Sequence, residues 1–158
     1  MPSETTITIQ LKPYLIDWLR ARYLEYPLVA TKKNIMGTFI KYFLTKTPFD
    51  WVPEPRSSSS CDILLPYDIS INVTGSVYVP PRENAILERM IEEMFNDNYF
   101  RFIEDNYIPR TERPSLFKNG VKDLTEKYMQ KYNLNPDHIS HETLIKRYQR
   151  RRKPAKAS

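Results

Sequence analysis

Glycine is nearly absent, with three in 158 residues. Loops that cradle phosphates bring backbone amides close to the anion at glycines, where no Cβ intervenes. Neither a Walker loop nor a dinucleotide fingerprint is present. Cysteine occurs once, at Cys61. A single thiol builds no disulfide framework within the chain, and a reducing, cytoplasmic setting is expected. Histidine occurs twice, at His138 and His141, with Asp137 beside the first. A zinc site takes three or four ligands, and the one other soft ligand, Cys61, is remote in sequence, so these residues read as a helix-entry loop. Cys61 as a nucleophile would need a histidine as base, and no local motif supplies one. No apolar run of about 18 residues exists, so no membrane-spanning helix and no membrane partner are expected. Met1 to Glu4 do not begin a basic segment followed by an apolar core, so no secretory leader is expected.

What is abundant is proline (13), tyrosine (11) and charge: 24 basic and 19 acidic residues, net +5. An apolar content of 41% supports one ordinary domain or two small ones. The charge is unevenly spread. Residues 139–158 carry net +6, residues 1–47 net +4, and the stretch between them about −5. Two basic ends around an acidic middle suit a protein whose ends touch a polyanion.

The stretch from Thr5 to Lys46 organises the rest. Ile7, Ile9 and Leu11 alternate with Thr6, Thr8 and Gln10, the signature of a half-buried strand. Pro13 opens a helix with apolar Leu15, Ile16 and Leu19. Thr31 reads as the N-cap of a second helix carrying Ile35, Phe39, Ile40 and Phe43. A lone strand leaves backbone groups unpaired and an apolar face uncovered, and no second strand follows within hairpin distance. A second copy of the chain is the economical partner. The two strands would form an antiparallel ribbon of the size that enters a DNA major groove.

Strand, helix and helix in this order resemble the ribbon-helix-helix (Arc- and MetJ-like) DNA-binding family, over about the first 46 residues. The resemblance implies that Thr6, Thr8 and Gln10 read bases. It implies that Ile7, Ile9 and Leu11 form the core, and that Thr31, Lys32 and Lys33 grip a phosphate at the start of the second helix. The connection from Leu24 to Ala30 is longer than the family's and carries Pro27, and the strand face lacks its usual Arg or Lys. The competing reading is an ordinary strand and helical pair inside a monomeric α+β domain.

Beyond this unit, residues 48–60 carry three prolines and four consecutive serines and read as a linker, with Trp51 placed to pin it to a neighbouring surface. Residues 61–67 read as a short edge strand, and 69–73 and 76–79 as a small ribbon. Pro80 and Pro81 precede a long helix over Arg82–Asn106. Its apolar face holds Ile86, Met90, Phe95, Tyr99 and Phe102, and the acids Glu88, Glu92, Glu93 and Asp97 read as its solvated face. Another helix, with Leu124, Tyr128 and Tyr132 on one face, runs from 119 or 121 to 132. Ser140 caps a last helix from His141 to Arg152. The last two helices fit a helix-turn-helix poorly, because their turn of about seven residues is long and lacks glycine. Most aromatics sit at helical spacing among aliphatics and read as core, with Tyr148 open to a stacking role.

The expected fold is mainly α with minor β (α+β), divided into 1–47, a linker over 48–60, and 61–158. No catalytic constellation is found, so neither an enzyme nor a cofactor is expected. The function expected is a small DNA-binding protein, a transcriptional regulator of a bacterial or mobile-element type, with RNA as the other candidate polyanion. It would be a homodimer or higher homo-oligomer. Base contacts would come from Thr6, Thr8 and Gln10. Phosphate contacts would come from Thr31, Lys32 and Lys33 and from Lys146, Arg147, Arg150, Arg151, Arg152 and Lys153. The alternative is a non-enzymatic viral or structural assembly protein with a helical protein interface and a nucleic-acid-binding basic tail.

Overall fold

The computed structural model describes residues 5–23, 28–30, 35–65, 77–109 and 120–152. The chain is mainly α with minor β. Among the described residues it runs β1 (Thr5–Gln10), α1 (Pro13–Tyr23), β2 (Leu28–Val29), α2 (Ile35–Phe43), β3 (Thr45–Lys46), β4 (Ser60–Leu65), β5 (Val77–Tyr78), α3 (Pro81–Asn106), α4 (Val121–Lys131) and α5 (His141–Arg152). Thr31, Lys32, Lys33, Lys153 and the alternating stretch 69–73 lie outside the described residues. The chain divides into two compact units, Met1–Glu92 and Glu93–Ser158.

In the first unit β1 has its partner in the same chain. It pairs antiparallel with β4 over six residues, from Thr5 opposite Leu65 to Gln10 opposite Ser60. β2 lies parallel to β4 on its other side, giving the order β1-β4-β2. This corrects the expectation of a strand paired with its twin in a second copy. It also corrects the boundary at 48–60. The serine run is a turn that leads directly into β4, with Ser60 N–H donating to Ser57 O at 3.1 Å and Ser57 N–H to Ser60 Oγ at 3.0 Å. The alternation of β1 does what period two dictates. Ile7 and Ile9 are buried on the same face as their register partners Ile63 and Cys61, while Thr6 and Thr8 are exposed on the other. Leu11, Leu15, Trp18, Leu19, Leu28, Ala30 and Ile40 add to this core, and Leu87 and Ile91 of α3 belong to it.

Proline at the first position of α3 costs no hydrogen bond, and Asn84 N–H returns to Pro80 O at 2.8 Å. In the first unit this helix meets β1 and α1 through its polar side chains. Asn84 Nδ2 donates to Gln10 O at 2.7 Å, and its Oδ1 accepts Gln10 N–H at 2.9 Å. Glu88 accepts Lys12 N–H at 2.9 Å. Glu92 takes the Lys12 ammonium at 2.7 Å and the Tyr14 hydroxyl at 2.6 Å. Glu88 and Glu92, read from the sequence as part of a solvated acidic face, anchor the connection between β1 and α1.

The second unit is built on aromatic packing. Tyr99 and Tyr128 are fully buried with ring centroids 5.2 Å apart, and Phe95 meets Tyr128 edge-on at 6.0 Å. Both hydroxyls are satisfied, that of Tyr99 by Thr125 at 2.6 Å and that of Tyr128 by Asn98 Oδ1 at 2.8 Å. Leu144 and Tyr148 bury one side of α5, and Ser140 Oγ accepts Thr143 N–H at 3.2 Å as its cap. Tyr148 is thereby a core residue, its ring centroid 6.1 Å from that of Phe100.

The end of α4 explains how a chain with so few glycines stops a helix sharply. Leu134 N–H donates to Met129 O at 2.9 Å and Asn133 N–H to Gln130 O at 3.3 Å. These are the two bonds of a Schellman cap, which places Asn133 at the left-handed position. Its φ is 49°, and buried Leu134 supplies the accompanying apolar contact. Asn133→Val is expected to destabilise the chain by about 1–2 kcal/mol, the cost of left-handed backbone for a residue with a Cβ branch. Asn133→Gly should lose nothing, and urea titrations of both variants measure the difference.

Candidate functional site

The ladder decides what the edge of β1 offers. Leu64 O accepts Ala30 N–H at 2.9 Å, so the main chain of Leu64 faces β2. Its opposite number on β1, Thr6, therefore sits at a non-hydrogen-bonded position and turns its N–H and C=O away from β4. Gln10 does the same, since both its main-chain groups go to Asn84. Thr8 lies between them at the same phase. The outer edge of β1 thus carries the N–H and C=O of Thr6 and Thr8, with no backbone partner on that side among the described residues.

A cleft of about 580 Å³ runs along this edge, floored by Thr5, Thr6, Ile7, Thr8 and Gln10. Its wall comes from residues 51–54, Arg56 and 77–79. Trp51 stands 5.1 Å from Tyr78 between ring centroids, tilted by 50°. The expectation that Trp51 pins its segment to a neighbouring surface holds, and Tyr78 is the contact. Thr47 also lines the cleft, and its Oγ1 is buried without a hydrogen-bond partner among the described residues. Arg56 does not act as a free cation there. Its two nitrogens grip Asp62 at 3.0 and 2.8 Å, and Asp62 also accepts the Thr8 hydroxyl at 2.8 Å.

The residues expected to read bases are therefore brought together, as the floor of a walled cleft. Trp51, Tyr78 and Asn84 were not among the expected site residues. The aromatic pair lies 27 positions apart in sequence, and no local periodicity links its members.

The basic residues of α5 fall into two groups. Arg147 donates to Asn96 Oδ1 at 3.1 Å. Arg151 pairs with Asp97 at 3.3 Å and lies 4.8 Å above the Phe100 ring centre, and Arg152 lies 5.5 Å above that of Tyr107. Arg147 and Arg151 are turned onto α3, and Arg152 onto Tyr107 just past its end. Lys146 and Arg150, one helical turn apart, are exposed and make no salt bridge or ring contact among the described residues. Asn96, Asp97, Phe100 and Tyr107 thus take half of what was read as one phosphate-facing stripe.

Burial also settles the chemistry of Cys61. Removal from water, with Asp62 next to it, pushes the thiol up to about 12, against a weaker opposing effect of Arg20. It stays protonated at neutral pH. Among the described residues no three His, Cys, Asp or Glu side chains are grouped to hold a metal ion. No family model, curated protein or solved structure matches the chain.

The raised thiol makes a prediction in alkaline solution. The unfolded chain releases this proton near 9.0, whereas the native state holds it to about 12. Between those values the unfolded state binds fewer protons, so stability falls as pH rises, by up to about 1.4 kcal/mol per pH unit from this group. Tyr99, also raised to about 12 by burial, adds to the fall above its ordinary 10.0. Cys61→Ala should flatten the decline that begins near pH 9 while the Tyr99 part persists. Urea midpoints from pH 8 to 11 for the two proteins measure this.

Proposed function

We propose that the chain is a non-enzymatic, cytoplasmic DNA-binding protein that grips phosphates through α5. The observation that carries the reading is the split of the basic helix. Lys146 and Arg150 stand exposed with no internal anion among the described residues, beside arginines already satisfied by α3. Like charges four apart on a helix repel, and a phosphate backbone laid against them removes that repulsion. Phosphate contacts carry no sequence information, so the binding expected here is salt-sensitive and blind to sequence. The regulator reading, with Thr6, Thr8 and Gln10 inserted into a groove, has less support. β1 is paired within its own chain, the Thr8 hydroxyl is engaged by Asp62, and the face lies within a cleft.

A second reading, a protein with an assembly role, is favoured by a different observation. Phe49, Trp51, Val52 and Tyr42 are exposed large apolar side chains of the first unit. Three of them lie within four residues of one another, and contiguous apolar exposure marks interaction surfaces. No helix among the described residues is long and apolar enough to cross a membrane.

The two groups of basic residues separate on measurement. Lys146→Ala with Arg150→Ala should reduce the slope of log affinity against log salt for duplex DNA by about two, since each phosphate contact contributes about 0.9. Its melting temperature should hardly move. Arg147→Ala with Arg151→Ala should lower the melting temperature and leave the slope nearly unchanged. Fluorescence anisotropy across a salt series, beside thermal unfolding, checks both. An unaltered slope in the first variant overturns the proposal. The same series on single-stranded RNA of equal length identifies the preferred polyanion.

A further inference from the structure

We propose that the cleft beside β1 binds an extended polypeptide segment by strand addition, with apolar side chains seated against Trp51 and Tyr78 and a basic side chain near Glu54. Three features select this occupant. The first is the floor. Thr6 and Thr8 direct two N–H and two C=O groups along a strand edge that has no backbone partner among the described residues. Such a row matches the alternating donors and acceptors of another extended chain and gives affinity independent of side-chain identity. The edge is short, because Asn84 occupies both groups of Gln10 at its end. It accepts a segment of a few residues and leaves no room for a long strand that arrives with its own sheet.

The second feature is the wall. Trp51, Val52, Pro53, Val77, Tyr78 and Val79 make it mainly apolar, with Trp51 41% exposed and Val52 80% exposed. Side chains on an added strand alternate in direction, so every second one meets this wall and the others meet solvent. Apolar surface left this open is stabilised by a partner that covers it.

Charge is the third. Of the charged side chains that line the cleft, Arg56 is held bidentate by Asp62, and Glu54 is exposed without an ion pair among the described residues. The uncompensated charge is negative. A nucleic-acid strand is repelled there, despite the aromatic pair on which a base could stack, and a segment bearing a lysine or arginine is attracted. The inference is independent of the phosphate grip of α5, which uses other residues.

The test uses the full chain and four synthetic octapeptides of alternating threonine and one apolar residue (Val, Leu, Phe or Tyr), each ended by lysine. Two signals report: Trp51 fluorescence in a Trp18→Phe background, and amide hydrogen exchange at Thr6 and Thr8. At least one peptide should bind with Kd below about 1 mM and slow exchange at both threonines. Methylating the alternate backbone nitrogens that face the edge should weaken that peptide at least about tenfold, since it deletes the donors and leaves every side chain in place. Trp51→Ala and Glu54→Lys should each weaken it too, while the DNA salt slope of either variant stays at the wild-type value. Four outcomes overturn the proposal. None of the peptides binds below about 1 mM. The methylated peptide binds as well as its parent. Oligothymidylate quenches Trp51 better than any peptide does. Exchange at Thr6 and Thr8 slows with protein concentration alone, which would make a second copy the occupant.

Discussion

The antiparallel ladder between β1 and β4 is the constraint on which the first unit depends. It joins residues 5–10 to residues 60–65 and so closes a long stretch of chain before any of its contacts form. Loop closure of this length is costly in entropy, and six paired residues alone do not offset it. What does is the face they share. Ile7, Ile9, Cys61 and Ile63 are all at most 4% exposed, and burying each aliphatic side chain contributes about 1.5–3 kcal/mol. Because the side-chain period is two, a slip of one residue would place Thr6 and Thr8 in this core and the isoleucines in water. The register is thus set by four side chains, and it fixes which main-chain groups of β1 face outward.

The edge of β1 that lacks a backbone partner among the described residues follows from that register. An unpaired strand edge invites indiscriminate pairing, and proteins blunt it with charges, bulges or a covering element. Here the cover is partial. Asn84 mimics a neighbouring strand at Gln10, offering one amide as both donor and acceptor. Glu88 does half of the same at Lys12 N–H. These two side chains stop the edge at the C-terminal end of β1, and residues 51–54 with 77–79 flank the remainder. Among the described residues the result is an edge narrowed to two threonines at the base of a cleft.

The helices were legible because their signals are local. Pro80 and Pro81, the apolar stripe of α3, and Ser140 before His141 each act within a few residues of the boundary they set, and the observed ends of α3 and α5 match within one residue. Pairing is different. The alternation of β1 showed a half-buried strand but carried no information about which strand would pair with it. The proline and serine content of 48–60 looked like a break between units, whereas it encodes a turn into β4. The same limit hid the cleft. Thr6, Thr8 and Gln10 were recognisable as an exposed polar face, but the residues that wall it come from distant segments. In the second unit, Asn133 filled the left-handed role for which glycine was sought, a substitution that its short polar side chain tolerates.

The basic helix shows how tertiary context divides a compositional signal. Five consecutive or near-consecutive cations read as one surface, because sequence assigns direction only through the 100° step between residues. That step separates 146 and 150 from 147 and 151 by little more than a quarter turn. It is enough for Asn96, Asp97 and the Phe100 ring to reach the second pair and not the first. The guanidinium of Arg151 is well suited to this inward role, since it is flat, weakly hydrated and stacks on a ring while donating to a carboxylate. Its ion pair is half-exposed, so it contributes at most about 1 kcal/mol, and the ring contact contributes a similar amount. These modest terms fasten α5 at its C-terminal end, where the aliphatic contacts of Leu144 have run out. The outward pair gains nothing from such contacts. Its charges remain about one helical turn apart in water, and screening at physiological salt weakens but does not abolish their repulsion at that separation. Lys146 and Arg150 cost the fold little to keep, because the residues that hold the helix in place and the residues that stay exposed are different ones.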